Sequence, residues 1–297
     1  PLNHSYIVFN CPIRLRPVTN TVKTMKTILI TGCSSGIGYD AAKTLKLIGW
    51  RGFATCRKTS DCLRLEREGF ESFLLDYGKE DTITNAVKEV QNRSGDTLDA
   101  LFNNGAFALP GAVEDLKRNA LREIFEVNVF GHVDLMNKLL PYLKNSTDGR
   151  VINCSSVLGF TALPYRGAYN ATKFAIEAIT DTIRREQTAK KVKFILLEPG
   201  PIRTKIRENS VFHFERWIDW QNSDLSEHYR SFLLNRLYDQ NQKLDLFERE
   251  PKHVTKKLLL ALSSKRPKKR YFVTFPTYAA NIINRLLPTS LQDKFYQ

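Results

Sequence analysis

From residue 26 onward, short continuous apolar segments alternate with amphipathic segments of helical periodicity. The apolar segments lack the polar alternation of a strand with one face in water, so each is expected to be buried on both faces. Strands of this kind form parallel sheets whose right-handed crossover helices cover both faces. Because the alternation is never interrupted, one domain is favoured over two. We predict a single-domain α/β fold with a doubly wound parallel sheet of about seven strands.

The boundaries of the predicted elements follow the composition of each segment. Strands are expected at 26–31, 51–56, 72–76, 98–104, 150–156, 192–200 and 270–275. Helices are expected at 38–49, 82–93, 116–143, 168–189 and 254–264. Residues 1–24 have no periodicity and no long apolar core, so we expect an N-terminal extension outside the fold, which would cover 25–297. No run of about 18 apolar residues occurs, and no transmembrane helix is expected.

The chain carries a formal net charge of +14. Such a charge is typical of chains that meet a nucleotide, a membrane surface or a nucleic acid, and also of a merely solvated basic surface. No nucleic-acid-binding signature accompanies it, so no nucleic-acid partner is expected. The five cysteines are irregularly spaced, and the five histidines lack metal-ligand spacing. We therefore expect no disulfide framework, no metal site and a reducing, cytoplasmic location.

A glycine-rich turn joins the first predicted strand to the first predicted helix in ILITGCSSGIG, residues 28–38. Gly32, Gly36 and Gly38 follow the spacing Gly-x-x-x-Gly-x-Gly. Glycines here let the backbone approach a phosphate, and the helix N-terminus supplies free N–H groups with partial positive charge. A tight turn needs glycine for backbone reasons too, so the loop alone leaves both interpretations open. The absence of a Gly-Lys-Ser/Thr ending argues against ATP or GTP hydrolysis.

The end of the second predicted strand is basic, with Arg57 and Lys58 in ATCRK and no carboxylate. In nucleotide-binding α/β sheets an acidic residue here binds the ribose 2′-hydroxyl, whereas an arginine accommodates a 2′-phosphate. The pattern therefore favours NADP over NAD. A solvated basic loop is the alternative in so basic a chain.

A tyrosine and a lysine stand four residues apart at the start of a long predicted helix, as Tyr169 and Lys173. This spacing places both on one helical face. An ammonium beside a phenol is expected to lower the phenol pKa toward neutrality, which suits proton transfer. Ser156 follows the fifth strand and could direct its hydroxyl to the same point. Surface helices also produce such pairs freely, so the position after a buried strand is what favours a catalytic role.

In combination these motifs resemble the short-chain dehydrogenase/reductase family. TGCSSGIG (31–38) matches the family's cofactor loop, LLD ends at the adenine-contacting Asp76, and EPGPIRT (198–204) matches the nicotinamide-contacting segment. NVFG supplies the active-site Asn128. The likeness is to the compact subgroup with bacterial NADP-dependent aldehyde reductase-like and 17β-hydroxysteroid or retinol dehydrogenase-like members. It implies a Rossmann-type fold and an oxidoreductase.

The resemblance implies a role for each of four catalytic residues. Tyr169 would be the general acid in reduction and the base in oxidation. Lys173 would hold the nicotinamide ribose and lower the Tyr169 pKa, and Ser156 would hydrogen-bond the substrate carbonyl. Asn128 would interrupt the long helix and hold a water that links Lys173 to solvent.

The resemblance also implies NADP(H) as cofactor, because ATCR resembles the AT-x-R stretch of NADP-preferring members. NNGA (103–106) departs from the usual Asn-Asn-Ala-Gly and could change the packing beside the nicotinamide ribose. The residues expected to contact the cofactor are Gly32, Ser34, Ser35, Gly36, Ile37, Gly38, Arg57, Lys58, Asp76, Asn104, Gly105, Tyr169, Lys173, Pro199, Gly200, Ile202 and Thr204.

The segment 204–250 corresponds to the family's substrate lid, and it is rich in aromatic and aliphatic residues. An apolar lid implies an apolar substrate, such as a long-chain aldehyde, a retinoid or a steroid-like ketone. The residues expected to contact it are Leu158, Tyr165, Phe212 and Trp217. Alternatively, this segment is a helix pair packed on the core or on a second subunit.

The tail, residues 276–297, is amphipathic and follows the basic run SKRPKKR. It could lie on a membrane surface, or pack on the body or on a second subunit of a homodimer or homotetramer. For the chain as a whole we predict NADP(H)-dependent hydride transfer to a carbonyl or from an alcohol. The alternatives are a non-catalytic NADP-binding sensor and a sugar-nucleotide epimerase or dehydratase. The loop spacing argues against the latter, and the intact Ser156, Tyr169 and Lys173 argue against the former.

Overall fold

The structure is a computed structural model that describes residues 25–186, 191–238 and 247–296. Within these residues seven strands form one parallel sheet. They are β1 (Thr27–Ile30), β2 (Arg51–Cys56), β3 (Glu71–Leu74), β4 (Ala100–Asn103), β5 (Gly149–Cys154), β6 (Val192–Glu198) and β7 (Arg270–Phe272). The spatial order is β3-β2-β1-β4-β5-β6-β7. The predicted doubly wound, Rossmann-type parallel sheet is confirmed.

Helices connect consecutive strands and cover both faces of the sheet. They are α1 (Gly36–Leu47), α2 (Thr59–Arg67), α3 (Glu80–Ser94), α4 (Arg118–Phe125), α5 (Gly131–Asn145), α6 (Gly167–Arg185), α7 (Ile206–Trp217), α8 (Ser226–His228), α9 (Asn235–Leu237), α10 (Lys252–Ser263), α11 (Phe275–Leu286) and α12 (Thr289–Tyr296). The chain reverses its winding direction between β1 and β4, which are neighbours in the sheet. A crevice at the carboxyl ends of the strands opens at such a switch point.

Two apolar layers lie on either side of the sheet. One contains Ile28 and Ile30 of β1 packed with α1 and α10. The other contains Leu29 of β1 packed with α3 and α5. Because successive strand residues point to opposite faces, β1 contributes to both layers. This explains the continuous apolar composition of the strands. A third apolar cluster lies beneath helix α7, which falls in the predicted lid.

Three elements differ from the sequence prediction. Helix α2 was not predicted, because only Cys62 and Leu65 of its charged sequence are buried and its apolar period is short. The long helix predicted at 116–143 is two helices, α4 and α5, joined by a π-helical turn at Glu126–Phe130. The predicted last strand, 270–275, ends at Phe272, after which Thr274 caps α11.

The ends of the chain bear on two further predictions. The predicted extension, residues 1–24, and part of the predicted lid, 239–246, lie outside the described residues. The predicted tail forms α11 and α12, and α11 exposes Phe275, Tyr278, Ile282 and Leu286 along one face. Contact of this face with a membrane or a second subunit stays a prediction. In the described part of the chain no helix is long and apolar enough to cross a bilayer.

Candidate active site

The glycine loop after β1 forms a backbone cradle at the N-terminus of α1. Gly32 has a φ of +69° and Gly36 a φ of +58°, a region that residues with a Cβ rarely adopt. A Cβ on Gly32 would lie 2.8 Å from the Cα of Gly105, so a side chain cannot fit. The N-cap residue Ser35 makes no side-chain hydrogen bond to the first turn of α1. The backbone N–H groups of this first turn therefore remain available to an anion.

Polar side chains beneath the loop hold the ends of β1 and β4 together. The Thr31 hydroxyl accepts hydrogen bonds from the backbone N–H groups of Asn104 (2.8 Å) and Gly105 (3.0 Å). Tyr77 donates to Thr31 Oγ1 or to Asn103 Oδ1, at 2.8 and 2.7 Å. Tyr77 also lines the cavity described below. The sequence analysis missed this residue, because a tyrosine after a strand carries no signal without its partners.

Three of the four predicted catalytic residues meet at the carboxyl end of β5. Ser156 follows this strand, and Tyr169 and Lys173 lie on the first turns of α6. Lys173 is only 1% exposed, and its Nζ donates to the carbonyl oxygen of Cys154 at 2.8 Å. The same ammonium lies 5.5 Å from the ring centroid of Tyr169. The Ser156 hydroxyl accepts a hydrogen bond from the N–H of Leu158 at 3.1 Å and lines the same cavity as Tyr169.

The protonation of Tyr169 differs from the sequence prediction. Burial raises the pKa of this phenol, and the nearby Ser156 hydroxyl opposes the rise only in part. Lys173 directs its ammonium to a backbone carbonyl rather than to the phenol oxygen. The prediction of a lowered Tyr169 pKa is therefore wrong for the protein as the structure describes it. Tyr169 holds its proton throughout the neutral range, as a proton donor requires.

Asn128, the fourth predicted catalytic residue, is fully buried at the π-helical turn and does not line the cavity. Its Nδ2 donates to the carbonyl of Phe107 at 2.8 Å, and its Oδ1 accepts from the N–H of Phe107 at 3.1 Å. Nδ2 also contacts Thr172 Oγ1 on α6 at 3.3 Å. Asn128 thus interrupts the helix, as predicted, but its amide joins the loop after β4 to α6. Its predicted water-holding role stays a prediction.

A cavity of about 410 Å³ unites the glycine loop with the Ser156–Tyr169–Lys173 group. Most residues predicted to contact a cofactor line it: Gly32, Ser34, Ser35, Gly36, Ile37, Arg57, Asp76, Asn104, Gly105, Tyr169, Lys173, Pro199, Gly200, Ile202 and Thr204. Gly38 and Lys58 do not line it. A Cβ on Gly38 would lie 2.4 Å from the carbonyl oxygen of Gly32, so this glycine allows the loop to close on α1. Lys58 is exposed at the N-cap of α2.

Of the four residues predicted to contact the substrate, Leu158 lines the cavity and three do not. Phe212 is 62% exposed, and the indole N–H of Trp217 donates to Glu123 at 3.2 Å. Tyr165 packs edge-on against Tyr229, with ring centroids 5.4 Å apart. Helix geometry turns Phe212 away from the face of α7 that lines the cavity, which contains Ile206, Ser210 and His213. Trp217 continues that face one turn after His213 but lies beyond the cavity, and Tyr165 lies just before α6. Contact of these three residues with a substrate stays a prediction.

The structure adds lining residues that the sequence analysis did not identify. Leu233 and Leu237 reach the cavity from the segment that contains α9, and Phe107 reaches it from the loop after β4. Phe107 stacks on His213 of α7, with ring centroids 3.9 Å apart. Burial lowers the pKa of His213 to about 4, and the charges of Arg57 and Arg216 act in the same direction. The four-residue spacing of Leu233 and Leu237, which places both on one helical face, was the signal that could have identified them. The sequence does not show, however, which face of the predicted lid packs toward the cavity.

No group of three histidine, cysteine or acidic side chains suited to a metal ion occurs in the described ranges. The site combines the carboxyl edge of a parallel sheet, a glycine-lined backbone cradle and a serine–tyrosine–lysine group in one cavity. These features define the class of α/β proteins that bind a nucleotide at the switch point of the sheet.

Comparisons with known proteins identify the family. The sequence model of the short chain dehydrogenase family matches residues 26–213. An uncharacterized oxidoreductase, YbbO, of Escherichia coli is 35% identical over 92% of this chain and 94% of its own. An NADPH-dependent 3-dehydrocapnine reductase of Ornithobacterium rhinotracheale is 31% identical over 92% of this chain and 96% of its own. The 17-beta-hydroxysteroid dehydrogenase type 6 of Rattus norvegicus is 31% identical over 90% and 86%, respectively.

The fold is also similar to that of a crystallised short-chain dehydrogenase from Streptomyces avermitilis, with a TM-score of 0.74 and 24% identity over 92% of this chain and 95% of the other. The chain belongs to the short-chain dehydrogenase/reductase family, and its predicted membership is confirmed. It is therefore grouped with oxidoreductases that use nicotinamide cofactors.

Proposed function

We propose that this protein is an NADP(H)-dependent oxidoreductase that interconverts a carbonyl and an alcohol on an apolar substrate. The observation that carries the proposal is the cavity shared by the glycine loop, Arg57 and the Ser156–Tyr169–Lys173 group. A nucleotide site alone would also suit a non-catalytic NADP-binding sensor. A buried lysine and a protonated tyrosine beside a serine hydroxyl form, in addition, a site for moving a proton at a carbonyl oxygen.

The residues present fit a nicotinamide dinucleotide. The uncapped first turn of α1 and the positive-φ glycines Gly32 and Gly36 can hold a pyrophosphate. Arg57 lines the cavity beyond the end of β2, where it would meet a 2′-phosphate. Asp76 lines the same end, and its Oδ1 accepts from the N–H of Gly78 at 3.1 Å. When bound, the cofactor supplies or accepts the hydride.

The chain's own residues would then act on the carbonyl oxygen. Tyr169 donates its proton to this oxygen in reduction and recovers it in oxidation. The Ser156 hydroxyl hydrogen-bonds the same oxygen and stabilises the charge that develops on it. Lys173 holds a positive charge beside the phenol and would bind the nicotinamide ribose. Asn128 fixes the loop after β4 to α6 and so preserves the alignment of the two sides.

Four apolar residues, Leu158, Phe107, Leu233 and Leu237, line the cavity from the loops after β4 and β5 and from the predicted lid. Charged residues such as Arg207, Arg236 and Glu248 line it as well. The apolar residues support a long-chain aldehyde or a retinoid- or steroid-like ketone as the substrate rather than a sugar. The rat relative is a hydroxysteroid dehydrogenase, which supports the same class of substrate.

The test is a turnover assay of the purified protein with NADPH and, separately, NADH against a panel of carbonyls. The panel would contain decanal, retinal, a 17-ketosteroid and a hexose. We expect oxidation of NADPH with at least one of the apolar carbonyls and none with the hexose. NADPH binding with no turnover of any carbonyl would instead support the sensor.

A further inference from the structure

A buried tyrosine joins the predicted lid to the loop after β4. Tyr229 has no exposed surface and begins the π-helical turn Tyr229–Leu234. Its hydroxyl donates to Asp115 Oδ2 at 2.6 Å and accepts from the N–H of Ala112 at 2.8 Å. These two partners precede it in the chain by 114 and 117 residues, respectively. One hydroxyl group therefore connects two segments that are far apart in the sequence.

The carboxylate of Asp115 receives a second side chain from the predicted lid. Ser223 Oγ donates to Asp115 Oδ2 at 2.9 Å, and it accepts from the N–H of Leu225 at 3.0 Å. Hydrogen bonds to a carboxylate are shorter and stronger than those between neutral groups. Burial raises the pKa of Tyr229, so this phenol keeps the proton that it donates. Asp115 thus anchors the segment that runs from Ser223 to Tyr229.

The ring of Tyr229 packs against the turn that precedes the proposed proton donor. It lies edge-on to Tyr165, with ring centroids 5.4 Å apart. Tyr165 has a φ of +58°, and its carbonyl accepts from the N–H of Gly111 at 3.0 Å. A residue with a Cβ keeps this backbone conformation only where its surroundings hold it there. Since Tyr165 is four residues before Tyr169, Tyr229 contacts the turn that leads to the catalytic group.

Two leucines of the cavity wall follow Tyr229 in the same helical segment. Leu233 and Leu237 lie four and eight residues after it, are 1% and 7% exposed, and line the cavity. This spacing places all three side chains on one side of the segment. The position of the two leucines at the cavity therefore depends on where the Tyr229 hydroxyl is held.

Packing alone requires only an aromatic ring at this position, so the hydroxyl must be explained separately. A buried hydroxyl needs hydrogen-bond partners, and partners in fixed positions favour one arrangement of the segment over other packings. We propose that Tyr229, held by Asp115 and Ala112, is a positioning residue that keeps Leu233 and Leu237 at the cavity and so determines selectivity for long apolar carbonyl compounds over short ones. The inference rests on the proposed function, in which the apolar lining residues contact the substrate.

The decisive experiment compares two aldehydes, decanal and propanal, with the full chain and NADPH. Tyr229→Phe removes the hydroxyl and keeps the ring. We expect kcat/KM for decanal to fall by about tenfold, mainly through KM, as for the loss of a hydrogen bond to a carboxylate. Propanal is too short to need the leucines, so its kcat/KM should change by less than about threefold. An unchanged ratio of the two values in a folded Tyr229→Phe would overturn the proposal.

Tyr238→Phe is the matched control. Tyr238 follows Leu237 directly, and its hydroxyl also donates to a carboxylate, Glu215 Oε1, at 2.9 Å. It is 45% exposed and does not line the cavity. Its loss should leave the decanal-to-propanal ratio within about twofold of the wild-type ratio. An equal fall in both variants would show that any hydrogen bond lost from this segment lowers selectivity, and would overturn the specific role of Tyr229.

Two further substitutions decide the case if Tyr229→Phe does not fold. Ser223→Ala removes the second hydrogen bond to Asp115 and should lower the decanal-to-propanal ratio by about two- to fivefold. Asp115→Asn keeps an oxygen that can accept from Tyr229, so it should lower the ratio less than Asp115→Ala does. A wild-type ratio in Asp115→Ala would contradict the proposal.

Hydrogen exchange separates this inference from the proposed function. In Tyr229→Phe, peptides that cover residues 223–237 should exchange about tenfold faster, because the lost hydrogen bond lowers the free energy of local opening. Peptides from β4 and β5 should exchange as in the wild type. Unchanged exchange in residues 223–237, or equally faster exchange in every peptide, would contradict the anchoring role. If no carbonyl is turned over, the proposed function fails, while the exchange rates still decide whether Tyr229 positions this segment.

Discussion

The sheet region, residues 26–204, and the predicted lid, residues 204–250, position their cavity-lining residues in different ways. In residues 26–204 the site residues follow strand ends, so their positions are fixed by the sheet and by hydrogen bonds such as Thr31 to Asn104. In the lid the lining residues are fixed by which face of a short helix packs inward. Helix α7 contributes His213 to the cavity while its neighbour Phe212 is mostly exposed. The residues proposed to act on the substrate carbonyl are thus positioned by backbone topology, and the cavity-lining residues of the predicted lid are positioned by side-chain packing.

The largest expected effect lies in the sheet half, at the proton donor. Tyr169→Phe removes only the hydroxyl, so NADPH affinity should stay within about twofold, while kcat falls by about 10² to 10⁴. Single-turnover assays with decanal and a fluorescence titration of NADPH measure the two. Tyr165→Phe is the matched control, because Tyr165 lies just before α6, four residues from Tyr169, and does not line the cavity. If Tyr169→Phe kept more than about a tenth of the rate, another group would be the acid.

The next effect tests the nucleotide end. Arg57→Ala should weaken NADPH binding by about tenfold or more, because a charge-assisted contact contributes about 1.5–3 kcal/mol, and should leave NADH binding nearly unchanged. Lys58→Ala, the adjacent residue outside the cavity, should change neither affinity by more than about twofold. Isothermal titration of both cofactors gives the numbers. Equal losses in the two variants would assign the preference to general charge rather than to position.

In the predicted lid, the effect of a substitution on KM should depend on whether the side chain lines the cavity. Leu237→Ala removes part of the apolar cavity wall, so KM for decanal should rise by about three- to tenfold while kcat changes less. Phe212→Ala, on the exposed face of α7, should leave KM unchanged. Steady-state kinetics on both variants compare them directly. A larger effect from Phe212→Ala would mean that the lid rearranges when substrate binds.

Buried histidines in the predicted lid and in the sheet region should make the free energy of unfolding depend on pH. Burial lowers the pKa of His213 in the lid to about 4 and that of His132 in the sheet half to about 3. An unfolded histidine titrates near pH 6.5, so the unfolded state binds the extra proton first and stability is lost as pH falls below about 6.5. The Tm should fall by several degrees between pH 7 and 5. His213→Phe should reduce this dependence, and a Tm constant over that range would contradict the assigned burial.

The smallest effect concerns the N-terminal residues. A chain that begins at Met25 should melt within a few degrees of the full chain and keep its NADPH affinity, because β1 begins only at Thr27. Differential scanning calorimetry compares the two proteins. A loss of more than about 10 °C would show that residues 1–24 pack on the fold.

The sequence predicts the strands and the local motifs of the sheet region better than the packing of the predicted lid. The strands were predictable because strands buried on both faces must be continuously apolar, and β2 was located at its observed bounds, 51–56. The glycine loop and the Tyr169–Lys173 pair could be identified because each depends only on residues that are close in sequence. The interruption of the helix at Asn128 was expected from the family resemblance alone, because its amide partners on Phe107 and Thr172 are distant in sequence. The contact of Tyr77 with the cavity and the inward face of α7 likewise depend on distant partners. The Tyr169 pKa was predicted in the wrong direction because spacing identifies a neighbouring charge but not the burial that outweighs it.

The position of Arg270 on the last and shortest strand has a consequence for the order of assembly. A chain made from its N-terminus contains Glu177 on α6 and Glu198 on β6 before Arg270, whose guanidinium donates to both carboxyl groups and follows Glu198 by 72 residues. Until β7 joins the edge of the sheet, closing the core would bury two carboxyl groups without their cation. We therefore expect a chain that stops before Arg270 to pack less tightly around α6 than the full chain does.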